Sequence, residues 1–337
     1  MVHFKGDFWG HQYDDKFPPS RTFNNSNKCK KFSTFITETV VDRLRNGSIE
    51  CLGKVGLAKP PHIVAPLTVE PTKPRLCINL MYLNNWIKDI SFSLDTLKNV
   101  PRAVRENAYF TSIDDKSGFD NVMLSEDSRG LVGFQWGGFY FIFKTLPFGF
   151  KLSSYIYHTL NLQATSYIRR KFLIPVHLYI DDRLVEEVRK PGLKAGVSSA
   201  LLANYIVCEV ITRLGYCINL DKTVFIPSQS VVFLGFVVDS VARCFRITES
   251  KKQKFINLRE DCLRKSAITV LDLQKIVGRC ISFMLAVPAA KLYTREMNNA
   301  ISLGIRNQTS IPMTKDLIIG GFWIHGQESW NGKKKDI

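Results

Sequence analysis

Hydrophobic and polar positions alternate along this chain in two rhythms, one helical and one strand-like. Phe35–Asn46 (FITETVVDRLRN) follows the helical period, with Ser33 or Thr34 near its N-cap and Gly47 near its end. A Pro-punctuated stretch follows, in which HIVAPLTVE reads as strand-like and KPRLCINLMYLNNW as a strand entering a turn. Asn107–Ile113 (NAYFTSI) has the aromatic and β-branched composition of a buried strand and ends at Asp114 and Asp115. Leu131–Leu146 reads as a hairpin turning at Gly137-Gly138. A helix is predicted over Ser153–Arg170, then a strand leading into Tyr179–Asp182 (YIDD), with VEEV as the return strand. Ala195–Leu214 reads as a helix closed by Gly215, and two short strands follow around CINLDKTVF and VVFLGFVVD. From Thr248 the texture becomes helical. One helix is expected over Glu249–Arg264, and a second is capped by Thr269 and runs through TVLDLQKIVGRCISFMLAVP to a stop at Pro288. Residues 1–35 read as a poorly ordered arm, and the pattern weakens again beyond Leu303.

Composition adds a partner class. With 337 residues, 45% of them hydrophobic, and 23 Phe, 11 Tyr and 5 Trp, most of the chain can bury a core. The 46 Lys and Arg against 30 Asp and Glu leave a formal charge of +16, a field that attracts polyanions. Nucleic acid rewards such a charge through counterion release, although a basic protein with solvated charges has the same balance. The eight cysteines form no CxxC pair, so reduced core thiols are expected rather than zinc ligands, in an intracellular, cytoplasmic or nuclear protein. The N-terminus lacks the apolar core of a signal peptide, and the longest apolar run, near Val231–Val238, is too short to span a bilayer. No membrane partner is expected. The six histidines form no HExxH, and there is no P-loop or GxGxxG, so hydrolase and NTPase chemistry has no residues to rest on.

The candidate chemistry lies at two strand ends, Ile113-Asp114-Asp115 and Ile180-Asp181-Asp182. Placing carboxylates at the ends of apolar strands is costly unless cations compensate them. Magnesium takes carboxylate oxygens together with substrate phosphates. Two such ions roughly 3.5–4 Å apart can activate a hydroxyl and stabilise a leaving pyrophosphate. A single Asp-Asp pair is also an ordinary turn at the end of a strand, so the surroundings must decide.

Those surroundings resemble reverse transcriptase domains from about residue 36 to 303. Pro74–Asn84 (PRLCINLMYLN) is similar to the fingers motif whose arginine holds the incoming triphosphate, which places Arg75 in that role with Lys73 assisting. Phe110–Phe119 (FTSIDDKSGF) resembles palm motif A, with Asp114 as metal ligand. Phe134–Ser154, containing LPFG, resembles the hairpin and motif B. Leu178–Asp182 (LYIDD) resembles motif C, with Asp181 as ligand and Asp182 beside it. Leu214–Phe225 and Val231–Asp239 are similar to motifs D and E.

The resemblance implies further roles. Tyr179 would brace the primer terminus, Phe119 would exclude a 2′-hydroxyl, and Phe148 with Gly149 would pack against the nascent base pair. Lys222 would protonate the pyrophosphate as a general acid, a role that competes with that of a plain solvated lysine. A competing register sets Asp115 and Asp120 at the substrate sugar, the acidic spacing of RNA-copying RNA polymerases. FTxxDxK with Phe119, and YIDD in place of GDD, favour the Asp114 register. Lys251, Lys252, Lys254, Arg259, Arg264 and Lys265 would grip a duplex backbone, unless they only form a solvated helix face.

The expected fold is α+β: a right-hand polymerase with fingers, an antiparallel-sheet palm and a helical thumb. Fingers and palm would occupy residues 36–240, and thumb or connection helices 241–306. The tail, 307–337, is too short for an RNase H domain. The implied cofactor is a pair of Mg2+ ions, with Mn2+ as an alternative, and the implied partners are a primed RNA or DNA template and dNTPs. RNase H and recombinase or integrase activities would come from another segment or chain. Within the family, NGSIE, FLGF and DLQKIVGRCISFMLAVPAAKLY resemble DIRS-type retrotransposons. Asn79, Met81, Asp115 and the lack of a Pro near Ser154 depart from the family pattern, which leaves open a decayed or domesticated nucleic-acid-binding relic.

Overall fold

The computed structural model describes residues 7–8, 11–12, 18–72, 74–94, 104–188, 196–287, 290, 294–315 and 317. They form two compact units that are discontinuous in sequence. The first comprises Met1–Leu94, Asp115–Thr165 and Val210–Asn219; the second comprises Asp95–Asp114, Ser166–Glu209 and Leu220–Ile337. These units cross the linear divisions drawn at residues 35, 240 and 306.

The first unit is built on a five-stranded sheet in the order Arg21–Thr22, Ile63–Val64, Gly133–Trp136, Phe139–Phe143 and Ile49–Lys54. The first three strands run parallel to one another, and the last three are antiparallel. The glycine pair predicted as a turn joins the central hairpin, with both residues at positive φ. The helix Ser33–Arg45 contributes Ile36 and Val40 to a core shared with Phe134, Phe141 and Phe143. The expected loose arm therefore differs from what residues 18–35 show: a strand paired with Ile63–Val64 and the short helix Lys28–Lys31.

The second unit holds a four-stranded antiparallel sheet, in the order Val176–Tyr179, Asp182–Glu186, Phe110–Asp114, Val224–Ser228. The helix Val197–Arg213 is tied to it where Thr111 Oγ1 donates to Asn204 Oδ1 at 3.3 Å. Next comes a three-stranded meander, Ser230–Phe233, Phe236–Asp239 and Cys244–Ile247. VVFLGFVVD is thus a hairpin and not one strand, because Leu234 (φ 48) and Gly235 (φ 74) reverse the chain in its middle. Of CINLDKTVF, only its end enters a strand, Val224–Ser228, while Ile218 makes an isolated bridge to Asp115 within the first unit.

Three helices complete this core. Glu249–Leu263 follows the sequence expectation closely. Val270–Ser282 buries Leu273, Ile276, Val277 and Cys280, the spacing of one helical face. It ends at Ser282, earlier than the predicted stop at Pro288, which lies outside the described residues. Arg295–Asn307 is a helix that the weak pattern near Leu303 did not announce, since only Met297, Ile301 and Gly304 of its face are buried. Of the eight cysteines, Cys29, Cys262 and Cys280 are buried as expected of core thiols, whereas Cys51 and Cys217 are exposed. No helix among the described residues is long and apolar enough to cross a membrane.

Thr269 caps the second of these helices as its sequence predicts: its side chain accepts from the Asp272 backbone N–H at 3.1 Å. The Asp272 carboxyl is held below its usual pKa, first by a hydrogen bond with Thr269 and then by Lys265 and Lys275. Thr269→Ala should lower stability by about 1 kcal/mol. Urea denaturation should show an earlier midpoint at unchanged slope, and an unmoved midpoint would refute the cap's contribution.

Candidate active site

The sheet of the second unit brings the two acidic strand ends together. Asp182 lies directly opposite Asp114 in the antiparallel register, with Arg183 opposite Ile113 and Leu184 opposite Ser112. Opposed residues project to the same face with Cβ atoms about 4.5–5.5 Å apart, so the two carboxylates share one face. Tyr179 pairs with Asp182 across a two-residue turn made of Ile180 and Asp181. Ile180 sits at φ 55, a region that a β-branched residue avoids, at a cost of about 1–3 kcal/mol. Asp181 is exposed at the tip, Asp182 and Tyr179 are half-buried, and the Asp114 side chain is 16% exposed.

Like charges placed directly across a strand pair repel. The Asp182 carboxyl accordingly rises to about 6, because of burial first, then the charges of Asp181 and Asp114. Asp114 is held through its backbone and approached by a cation at its carboxylate. Its backbone N–H donates to Thr223 Oγ1 at 3.2 Å, and Lys222 Nζ approaches Oδ2 at 3.5 Å. Lys222 is 69% exposed, so this ion pair contributes little to stability. The carboxylates of Asp114, Asp181 and Asp182 gather oxygen donors at one strand end, the chemistry that suits a hard divalent cation. Among the described residues no three His, Cys, Asp or Glu side chains are gathered closely enough to enclose an ion by themselves. Magnesium held by one or two carboxylates and completed by phosphate and water does not require such a cage.

Arg75, Asp115, Phe119, Phe148 and Gly149 belong to the first unit, and Lys73 lies outside the described residues. Arg75 is exposed at the start of the strand Arg75–Ile78, opposite Glu70 in a hairpin with Leu67–Glu70. Asn79, one of the departures from the family pattern, accepts from the Met81 N–H at 3.0 Å at the start of the helix Met81–Trp86. Phe119 and the exposed Phe148 meet at a tilt of 46°, with 4.9 Å between ring centroids. Gly149 has φ +92, and a Cβ there would come within 2.9 Å of the Ile78 carbonyl, so only glycine fits this loop without strain. Asn84, which sequence reasoning did not single out, clamps the same loop. It donates to the Gly149 carbonyl at 2.8 Å and accepts from the Lys151 N–H at 2.8 Å. Its only advance signal was its place within the fingers motif.

Both acids of the competing register are engaged internally. Asp115 is buried and accepts from Tyr157, and Asp120 pairs with Arg43 at 3.1 Å. Neither is presented as a bare acceptor for a ribose hydroxyl.

The basic helix departs from expectation at Lys251. Its ammonium lies 4.4 Å from the centre of the Phe236 ring and 3.3 Å from the Leu234 carbonyl, tucked onto the preceding hairpin. Burial lowers its pKa, and it is turned away from the role of a backbone grip. Lys252, Arg264 and Lys265 make ion pairs with Glu249, Glu260 and Asp272.

Comparison with known proteins bears on the family and the fold. Residues 72–238 match the family of reverse transcriptases (RNA-dependent DNA polymerases). Protein P of a duck hepatitis B virus (isolate white Shanghai duck S31) is 28% identical over 140 residues, 42% of this chain and 17% of that protein. The foamy viral protease-reverse transcriptase solved with double-stranded DNA superposes with a TM-score of 0.71 at 22% identity. The match covers 90% of this chain and 48% of that one. The same viral protein solved with an RNA/DNA hybrid gives 0.67 at 20% identity, over 90% and 37%. The fold is thus the α+β polymerase fold, and the chain spans less than half of the length of each of these proteins.

The raised carboxyl gives a signed test. Asp182 binds its proton more tightly in the folded than in the unfolded chain. The stability it contributes is therefore fully present below its ordinary value of 3.8 and is lost as pH rises through about 6. In chelator, the melting temperature of the wild type should fall across that window relative to Asp182→Asn. Excess magnesium should restore it at neutral pH by binding the ionised form. Parallel pH curves for the two proteins would contradict the assignment.

Proposed function

We propose that this chain, whose residues 72–238 match the reverse transcriptase family, is a template-directed DNA polymerase. It copies RNA or DNA by adding dNMP from a dNTP to a primer 3′-hydroxyl. The observation that carries the reading is the register that sets Asp182 opposite Asp114 beside the Ile180-Asp181 turn. The viral relatives solved with duplex DNA and with a hybrid support a primed nucleic acid as the partner.

In this reading Asp114, Asp181 and Asp182 would hold two magnesium ions, which manganese could replace. When bound, the ions would lower the pKa of the attacking hydroxyl and stabilise the departing pyrophosphate. The chain's own residues position and protonate. Tyr179 braces the primer end, Arg75 with Lys73 holds the triphosphate as a bidentate partner would, and Phe119 bars a 2′-hydroxyl. Phe148 and Gly149 seat the nascent base pair, and Lys222 delivers a proton to the leaving group. Fingers and palm fall within 36–240 and thumb helices within 241–306.

The finer placement is a DIRS-type retrotransposon, supported by the segment DLQKIVGRCISFMLAVPAAKLY and the FLGF block. RNase H and recombinase or integrase functions then come from another segment or chain. Genomic flanks carrying a tyrosine-recombinase reading frame would support that placement, and flanks with an unrelated integrase would overturn it.

The enzymatic test uses a primed poly(rA) template, magnesium and dTTP. Incorporation should fall by at least roughly 10²-fold in Asp181→Asn. Lys222→Ala should lower kcat by about 10²-fold with little change in melting temperature, because its ion pair is exposed. Template binding without incorporation, in wild type and variant alike, would instead identify a non-catalytic relic of the family.

A further inference from the structure

Beside Phe119 the first unit contains a buried polar bridge that the motif resemblance does not explain. Phe119 lies in the short 3-10 turn Gly118–Asn121, entered through Ser117 at φ 51. Its ring meets Tyr157 edge-on, with 5.5 Å between centroids. Tyr157 is fully buried, and its hydroxyl donates to Asp115 Oδ2 at 2.5 Å. Asn161, one turn further along the helix Ser153–Phe172 and also fully buried, donates to the same oxygen at 3.4 Å. Asp115 is 5% exposed.

Burying a carboxylate is unfavourable unless its partners converge on it, and such a network then admits few geometries. The backbone around Asp115 is fixed as well. Asp115 bridges Ile218, and the Lys116 N–H donates to the Cys217 carbonyl at 2.7 Å. Gly118 completes the arrangement: a Cβ there would lie 2.4 Å from both the Tyr157 oxygen and its ring carbon. The hydroxyl therefore fills the space that any side chain at position 118 would need. Beyond Phe119, Asp120 is anchored by Arg43.

We infer that Asp115, Tyr157 and Asn161, with position 118 kept bare, form a positioning bridge. This bridge sets the Phe119 ring and so the discrimination between deoxy- and ribonucleotides. The inference rests on the proposed reading of Phe119 as the barrier under the sugar. Tyr157 acts through Phe119: its edge supports the ring, and its oxygen ties that support to the start of the same loop. Loss of the hydroxyl keeps the aromatic packing but releases the orientation.

The test is kcat/KM for dTTP against UTP on primed poly(rA), measured for variants whose melting temperature shows them folded. Tyr157→Phe and Asp115→Val should each lower the dTTP preference by roughly tenfold, the scale on which small misplacements register. Asp115→Asn, which keeps an acceptor for the tyrosine, should retain most of the preference. The double variant Asp115→Val/Tyr157→Phe should be no worse than either single change, because the pair acts as a unit. Phe119→Ala separates the two levels of the argument. If it abolishes the preference while Tyr157→Phe and Asp115→Val leave it intact, the bridge is refuted and the barrier stands. If it leaves the preference intact, the barrier reading fails and the bridge with it.

Discussion

Asp114 and Asp182 face each other across an antiparallel strand pair and repel, while the sheet holds them in place. Their register is shared with Ile113 opposite Arg183 and Ser112 opposite Leu184, and Ile113, Arg183 and Leu184 are buried. A slip of one residue would exchange the faces of Leu184 and Arg183, both fully buried, so the strands cannot relieve the repulsion by sliding. A proton or a cation must relieve it. The elevated Asp182 carboxyl is the proton solution, and the surplus of oxygen donors at the turn is what a divalent ion would meet in its place.

The turn adds a second constraint. Two residues must reverse the chain between Tyr179 and Asp182, and one of them is a β-branched isoleucine at positive φ. Strain of this kind persists only where the flanking structure over-determines it. Here the flanking strands belong to a sheet whose Phe110 and Leu184 enter the same core as Phe233, Phe255 and Leu273. Burial far from the acids thus holds the geometry at the tip. The other unit applies the same logic at a loop: Asn84 holds Gly149 and Lys151 from both sides, and Gly149 approaches a carbonyl that no side chain would tolerate.

What was legible in the sequence was local. The strand Phe110–Asp114, the Gly137-Gly138 hairpin, the YIDD turn and the Thr269 cap all follow from residues within a few positions of each other. Long-range pairings were not legible. The Tyr157–Asp115 contact joins positions separated by 42 residues, and the Asn84–Gly149 contact joins positions separated by 65. Neither residue type advertises its partner. Lys251 looked like its basic neighbours and differs only because Phe236 and Leu234 lie beside it. The fold of VVFLGFVVD was missed because its turn is Leu-Gly within an apolar run, and no polar break marks it.

The register of the sheet sets the two acidic strand ends to serve one set of cations. A crystal of the chain with primed template, incoming dNTP and manganese, read by anomalous scattering, tests it directly. Two manganese peaks roughly 3.5–4 Å apart are expected, with Asp114 and Asp181 both contacting them. Manganese bound by only one of these strand ends, or at neither, would contradict it.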